Sequence, residues 1–263
     1  MVQNNLLRNV SQGRICTAVA VKTTSSSEVI LLARAAGYDS VFIDLEHSAL
    51  EVQDANTLCT TALLAGVTPY VRVPHNCGSG FVQRILDGGA VGVVYPHINN
   101  EAEAREAVAV TKFPPSGCRS LTAALPHFLF KRVEAKQVVQ QLNETGSTVF
   151  AMIETSEAVR NATAIASVEG VDVLLLGAND LSLEMGILGE WEHPLFQDAL
   201  RVVAEACRAN NKILGISGIY TKPKIVQAAI RDLGARYILG HSDMGLLSMA
   251  MNKNAEMLRD LQQ

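Results

Sequence analysis

Aromatic residues make up only 5% of the 263 residues, with a single Trp, and no apolar run reaches the ~18–20 residues that a membrane helix needs. The N-terminal MVQNNLLRNVSQGR is polar and lacks the apolar core of a secretory signal. The C-terminal RDLQQ carries no prenylation cysteine or retention signal. The five cysteines (Cys16, Cys59, Cys77, Cys118 and Cys207) have no C-x-x-C spacing. Such an odd, scattered set excludes a disulfide framework and reads as reduced thiols of a cytoplasmic protein. Charge of neither sign dominates: 22 Lys+Arg against 26 Asp+Glu leaves a formal net charge of −4. That balance argues against nucleic acid as the main partner. Three N-x-S/T triplets, beginning at Asn9, Asn143 and Asn161, are read as chance matches in the absence of a signal peptide.

Hydrophobic residues amount to 48%, which excludes a disordered chain and suffices for one large core. Eight β-branched or apolar runs recur: RICTAVAV (14–21), SVFIDLE (40–46), TPYVRVP (68–74) and AVGVVYP (90–96), then STVFAMIE (147–154), VDVLLLG (171–177), KILGIS (212–217) and RYILGHS (236–242). Several are apolar almost throughout, as expected of parallel strands covered on both faces. Helical patterns lie between them, among them SSSEVILLARAAG (25–37), which suggests a Ser25–Glu28 capping box and a stop at Gly37. No Pro-rich or Gly/Ser-rich linker divides the chain. Eight strand–helix units in about 250 residues predict a single-domain (β/α)8 TIM barrel over residues 1–263. An open doubly wound sheet would carry a Gly-rich phosphate loop, and neither G-x-G-x-x-G nor G-x-x-x-x-G-K-[ST] occurs. NNLLRNV reads as a short helix closing the lower end of the barrel. KFPPSGCRS, between the fourth and fifth strands, reads as an ordered active-site loop.

Chemistry in such a barrel sits at the C-terminal ends of the strands, and the polar residues collect there. Strand two ends in Asp44, Glu46 and His47, strand three supplies Arg72, strand five ends in Glu154, and strand six ends in Asn179 and Asp180. Glu154 and Asp180, about one βα unit apart, belong on neighbouring strands. Two carboxylates without a nearby Cys or H-x-x-x-H pattern favour a hard cation, Mg²⁺ or Mn²⁺. The competing reading is that each only caps the following helix. Arg72, inside an apolar strand, needs an anionic partner: a structural one such as Glu46, or a substrate carboxylate or enolate oxygen. His47, beside Asp44 and Glu46, is a candidate for proton transfer. His75, His97 and His241 also follow strands but lack this acidic company, and are read as pocket lining or as residues that support the reactive groups from behind. An imine mechanism is the weaker reading, because Lys212 begins strand seven at the wrong end and only Lys22 follows a strand suitably.

These segments resemble the HpcH/HpaI aldolase family, the metal-dependent class II pyruvate aldolases, over nearly the whole chain. YDSVFIDLEHSAL resembles the family's strand-two signature and PYVRVP its arginine strand. ILDGGAVGVVYPHINNEAEAREAV, FPPSGCRS, MIETSEAV and LLLGANDLS follow in the family's order. The resemblance implies a metal-dependent carbon–carbon lyase that cleaves or forms 4-hydroxy-2-oxo acids through a pyruvate enolate, with oxaloacetate decarboxylation as a companion activity. It implies that Glu154 and Asp180 hold Mg²⁺, Mn²⁺ or Co²⁺, that Arg72 binds the keto or enolate oxygen, and that His47 with Asp44 handles protons. The main chain of Gly177, Ala178 and Asn179 would receive the pyruvate carboxylate. It further implies a hexamer built as a trimer of dimers, with the C-terminal helix exchanged between subunits.

The chain departs from the family pattern at the pocket wall. Met152 stands where many members have Gln, Ala178 where Pro is common, Ser120 where Gly is common, and VAVKTT lacks a Trp that some members carry. From these departures an altered acceptor is expected, larger or less polar, as in the related macrophomate synthase. A synthase or decarboxylase of specialised metabolism is the alternative within enolate chemistry. A non-catalytic metabolite-binding barrel is the alternative of another class.

Overall fold

In a computed structural model, which describes residues 2–261, eight parallel strands close into a barrel in chain order. They are β1 (Cys16–Val21), β2 (Ser40–Asp44), β3 (Thr68–Arg72), β4 (Gly92–Tyr95), β5 (Thr148–Ile153), β6 (Val173–Gly177), β7 (Ile213–Ser217) and β8 (Tyr237–Ser242). Each expected run forms its strand, trimmed by at most two residues at either end. Helix α1 (Asn5–Ser11) precedes the barrel, and α2 (Glu28–Ala35), α3 (Val52–Ala65), α4 (Ser79–Asp87) and α5 (Glu101–Thr111) follow the first four strands. Helix α6 (Ala135–Thr145) leads into β5, and α7 (Ser156–Arg160) and α8 (Ala162–Ser167) lead out of it. The circuit ends with α9 (Ala178–Glu184), α10 (Pro194–Ala209), α11 (Pro223–Asp232) and α12 (Asp243–Asp260). Among the described residues no helix is long and apolar enough to cross a membrane. All five cysteines are free thiols.

Successive strand residues point to opposite faces, and here both faces are apolar. Outward residues such as Val41, Ile43, Val71, Val93, Leu174 and Leu176 form one continuous layer with the helices. Inward residues, including Ala18, Ala20, Phe42, Tyr70, Phe150, Leu175 and Tyr237, form a second cluster inside the barrel. Three of the few aromatic residues meet there: ring centroids lie 4.7 Å apart for Tyr70–Phe150, 5.1 Å for Phe150–Tyr237 and 5.9 Å for Tyr70–Tyr237. Glycines make the room. A Cβ on Gly92 would stand 2.5 Å from the Thr148 carbonyl oxygen, and one on Gly215 would stand 2.8 Å from Leu175 Cδ1.

The N-terminal segment closes the lower end, as NNLLRNV suggested. The Asn4 side chain caps α1 through the Leu7 amide, accepts from the buried Tyr70 hydroxyl at 2.8 Å, and donates to Thr145 O and Thr148 Oγ1. Asn5 reaches Thr68 Oγ1, Asp39 O and Gly66 O beside it.

Two local expectations fail. The Ser25–Glu28 box does not form, because α2 starts two residues later than the box requires: its N-cap is Ser27, without a side-chain cap. Residues 113–120 do not line the mouth of their own barrel. Helix α5 has already carried the chain back, so the segment starts at the lower end. There the buried Arg119 donates to Asp87 Oδ1 at 2.9 Å and lies 4.6 Å over the Phe113 ring. At the other end of the chain, α12 has no buried residue, and Met244, Leu247, Met249 and Met251 are each more than half exposed.

Asn4→Ala removes a helix cap and orphans a buried hydroxyl. It is expected to cost about 3 kcal/mol, read as a lowered urea midpoint with an unchanged slope.

Candidate active site at the barrel mouth

Following each inward set upward leads from apolar to polar residues. Positions 18 and 20 lead to Lys22, position 42 to Asp44, position 70 to Arg72, and positions 150 and 152 to Glu154. Positions 173 and 175 lead to Gly177, and 213 and 215 to Ser217. These residues line one cavity of about 240 Å³ together with His47, Ala178, Asn179, Asp180, Tyr220 and Ser242. Ala20, Phe42, Met152 and Leu239 give it an apolar lining below.

The sheet register places Asp44 opposite Arg72. Arg72 Nε donates to Asp44 Oδ1 at 2.9 Å and Nη2 to Oδ2 at 2.6 Å, while Nη1 lies 3.0 Å from Glu46 Oε2. Arg72 therefore has structural partners, chiefly Asp44 rather than Glu46, and its remaining edge lines the cavity. Asp44 also accepts the amides of Glu46 and His47, and Lys22 Nζ lies 3.2 Å from its Oδ2. Burial, the largest single influence, pushes the Asp44 carboxyl up. The Arg72 hydrogen bonds and charge, with Lys22 and the His47 amide, outweigh it and hold the carboxyl below its usual range. Burial works against the Arg72 charge, and Asp44 and Glu46 more than restore it. Each partner thus favours the charged form of the other.

Glu154 is buried, and its Oε2 accepts the His97 amide at 3.0 Å. A Cβ on Gly177 would lie 2.6 Å from Glu154 Cγ, so the missing side chain on β6 is what lets Glu154 stand at the end of β5. Burial raises the Glu154 pKa most. The His97 amide and charge and Arg72 pull it down, the like charge of Asp180 pushes it up, and the net direction is upward. Asp180 lies exposed in the first turn of α9. Ala178 and Asn179 begin that helix, where main-chain N–H groups have no intrahelical acceptor. Among the described residues, no group of three or more His, Cys, Asp or Glu side chains converges on a metal position. The donor set nonetheless fits a hard cation. A buried carboxylate penalised by its own burial and by a second carboxylate gains from a divalent ion, and such an ion ordinarily keeps several water or ligand oxygens.

His47 lies at the rim, its side chain 57% exposed, with Nε2 3.7 Å from Glu46 Oε2; its tie to Asp44 runs through its amide. His97 supports the site from behind, one of the two places expected of it, but it does not lack acidic company. Its Nδ1 lies 3.5 Å from Glu154 and its Nε2 3.8 Å from Glu46, so β2 and β5 supply the acidic company its own segment lacks. Lys212 sits at the lower end, donating to Val171 O, as the strand order implied. Tyr220, stacked on His241 at 4.4 Å, comes from an irregular loop with no periodic signal to announce it.

The HpcH/HpaI aldolase/citrate lyase family model matches residues 23–248. The chain is 41% identical over 260 residues to the 4-hydroxy-4-methyl-2-oxoglutarate aldolase tasA of Hapsidospora irregularis, covering 99% of this chain and 96% of the relative. It is 44% identical over 247 residues to the 4-hydroxy-4-methyl-2-oxoglutarate aldolase cghB of Chaetomium globosum, covering 94% and 92%. Among solved structures, an HpcH/HpaI aldolase from Desulfitobacterium hafniense superimposes with a TM-score of 0.89 at 29% identity, covering 97% and 96%.

The ion pair makes a stability prediction. Asp44 has a folded-state pKa below its unfolded value of about 4. Its contribution is therefore complete above about pH 4 and is lost as the pH falls through the depressed folded value. Asp44→Asn is expected to cost about 3 kcal/mol at neutral pH and to flatten the acid limb of stability against pH, followed by chemical denaturation.

Proposed function

The chain belongs to the HpcH/HpaI aldolase/citrate lyase family, and from that premise we propose that it is a divalent-metal-dependent carbon–carbon lyase acting on 4-hydroxy-2-oxo acids through a pyruvate enolate. The observation that carries this reading is one cavity holding the paired carboxylates Glu154 and Asp180 together with the fixed charge of Arg72. Glu154 and Asp180 would hold Mg²⁺, Mn²⁺ or Co²⁺, which would supply Lewis acidity to the 2-oxo acid.

Cleavage removes the proton of the 4-hydroxyl and breaks the C3–C4 bond. The electron pair moves onto the C2 oxygen, C4 leaves as a carbonyl compound, and C3 is protonated to give pyruvate. Negative charge grows on the C2 oxygen, and the Arg72 guanidinium, locked in orientation by Asp44, places positive charge there. His47, open to solvent at the rim, carries the hydroxyl proton away, with Glu46 beside its ring and Asp44 fixing its backbone. The main chain of Gly177, Ala178 and Asn179 holds the C1 carboxylate at the start of α9. Oxaloacetate, losing carbon dioxide, passes through the same enolate and is a companion substrate. The 4-hydroxy-4-methyl-2-oxoglutarate named for the two fungal relatives splits by this scheme into two molecules of pyruvate. It is the first substrate to try. We also propose a cytoplasmic hexamer, a trimer of dimers with α12 exchanged, on the strength of that helix's exposed Met and Leu residues and the free thiols.

Glu154→Gln keeps size and removes charge. Turnover of a 4-hydroxy-2-oxo acid is expected to fall by roughly a thousandfold or more with the circular dichroism spectrum retained, and EDTA is expected to abolish wild-type turnover until Mn²⁺ is restored. Full activity in metal-free enzyme removes the metal from the scheme. Gly177 has φ −90°, which alanine accepts. Gly177→Ala should therefore fold yet displace Glu154, weakening Mn²⁺ by about tenfold or more in calorimetry.

A further inference from the structure

The scheme above leaves one cation at the mouth without a task. Lys22 follows β1 and continues its inward set into the cavity. Its side chain is 29% exposed, and among the described residues its one ion pair is with Asp44 Oδ2. Asp44, 3.2 Å away, is already served by Arg72 on both oxygens and by two amides. The loop carrying Lys22 is pinned: Asp243, the first residue of α12, accepts the successive amides of Lys22, Thr23 and Thr24 at 3.0, 3.0 and 2.9 Å. Three amides on one carboxylate fix the backbone from which the lysine reaches.

Its position across the barrel gives this cation a meaning. In the closed order β1 to β8, β1 is four strands from β5 in either direction, so Lys22 stands across the mouth from Glu154. The cavity runs from Glu154 and Asp180 past Ala20, Phe42 and Leu239 to Lys22, so a 2-oxo acid held at the two carboxylates would have that side open for its C4 substituents. A negative substituent arriving there would be repelled by Asp44 and Glu46 unless a cation met it. Arg72, which also lines the cavity, pairs with those two acids and in the scheme above serves the C2 oxygen.

We propose that the Lys22 ammonium binds a second carboxylate on C4, so that the lyase selects dicarboxylic 4-hydroxy-2-oxo acids, whose departing carbonyl half carries its own carboxylate. This rests on the lyase reading above. The altered acceptor expected from Met152, Ala178, Ser120 and VAVKTT gains a charged group at one of those positions, because Lys22 lies within VAVKTT and lines the cavity. A charge-assisted contact in a partly desolvated pocket gives strong discrimination.

The test compares two substrates of nearly equal shape, 4-hydroxy-4-methyl-2-oxoglutarate and 4-hydroxy-4-methyl-2-oxopentanoate, in which a methyl replaces the second carboxylate. The readout is the ratio of their kcat/KM values, which does not depend on the fraction of active enzyme. Wild type is expected to prefer the dicarboxylate. Lys22→Met should lower the ratio by roughly 10- to 100-fold, and Lys22→Arg should retain most of it. If Lys22 only steadies Asp44 and Arg72, both substrates fall together in Lys22→Met, the ratio holds, and the assignment is overturned. A wild type that turns over both substrates equally overturns it too, while leaving the lyase intact. A wild type that cleaves neither, and exchanges no C3 protons of pyruvate in deuterium oxide with Mn²⁺ present, overturns the lyase and the carboxylate site together.

Discussion

Arg72 and Asp44 face each other on β3 and β2, and the two hydrogen bonds between them set the electrostatics of everything above the barrel core. An arginine this deeply buried is tolerated only with an anion in good geometry, because desolvation of an unpaired guanidinium costs several kcal/mol. Here the anion comes from the adjacent strand at the same height, so the sheet register itself holds the pair together. The pair keeps a guanidinium at the wall of a half-closed cavity with one edge uncommitted to Asp44. It also fixes the chain at Glu46 and His47, whose amides donate to the same carboxylate.

The remaining site is shaped by what the strands omit. Large inward rings fill the lower and middle barrel, and glycines at 92 and 215 make space for them. At the top, Gly177 performs the same service for Glu154. The transition from apolar to charged residues happens within two residues on several strands. A packed core thus lies directly beneath a polar mouth, and Lys22, Asp44, Arg72, Glu154 and Gly177 stand on or next to strand ends.

Charge at the mouth is nearly balanced yet unevenly placed. Asp44 and Glu46 are matched by Arg72, with Lys22 close by, whereas Glu154 feels the like charge of Asp180 and, among the described residues, neither pairs with a Lys or Arg. On the proposed scheme, that asymmetry would give the cavity one side for a divalent ion and another for an anionic substituent. A substrate spanning both would be oriented before any bond is broken.

Much of this was legible in the chain itself. Eight nearly continuous apolar runs at regular spacing dictate a parallel sheet buried on both faces, and Asp44, Arg72, Glu154 and Asp180 fall at strand ends where a barrel places its chemistry. Which neighbour each charge would take was not legible, because a partner lies on another strand and is chosen by register. Asp44 rather than Glu46 became the main partner of Arg72, and His97, acid-poor in its own segment, came to lie between Glu154 and Glu46. The segment 113–120 looked like part of the site by composition, yet the helix before it delivered it to the opposite end of its own barrel. Local sequence thus determined the elements, the fold class and the roster of reactive groups. Tertiary structure alone decided the pairings, since electrostatic contact depends on distance across the sheet and not on separation along the chain.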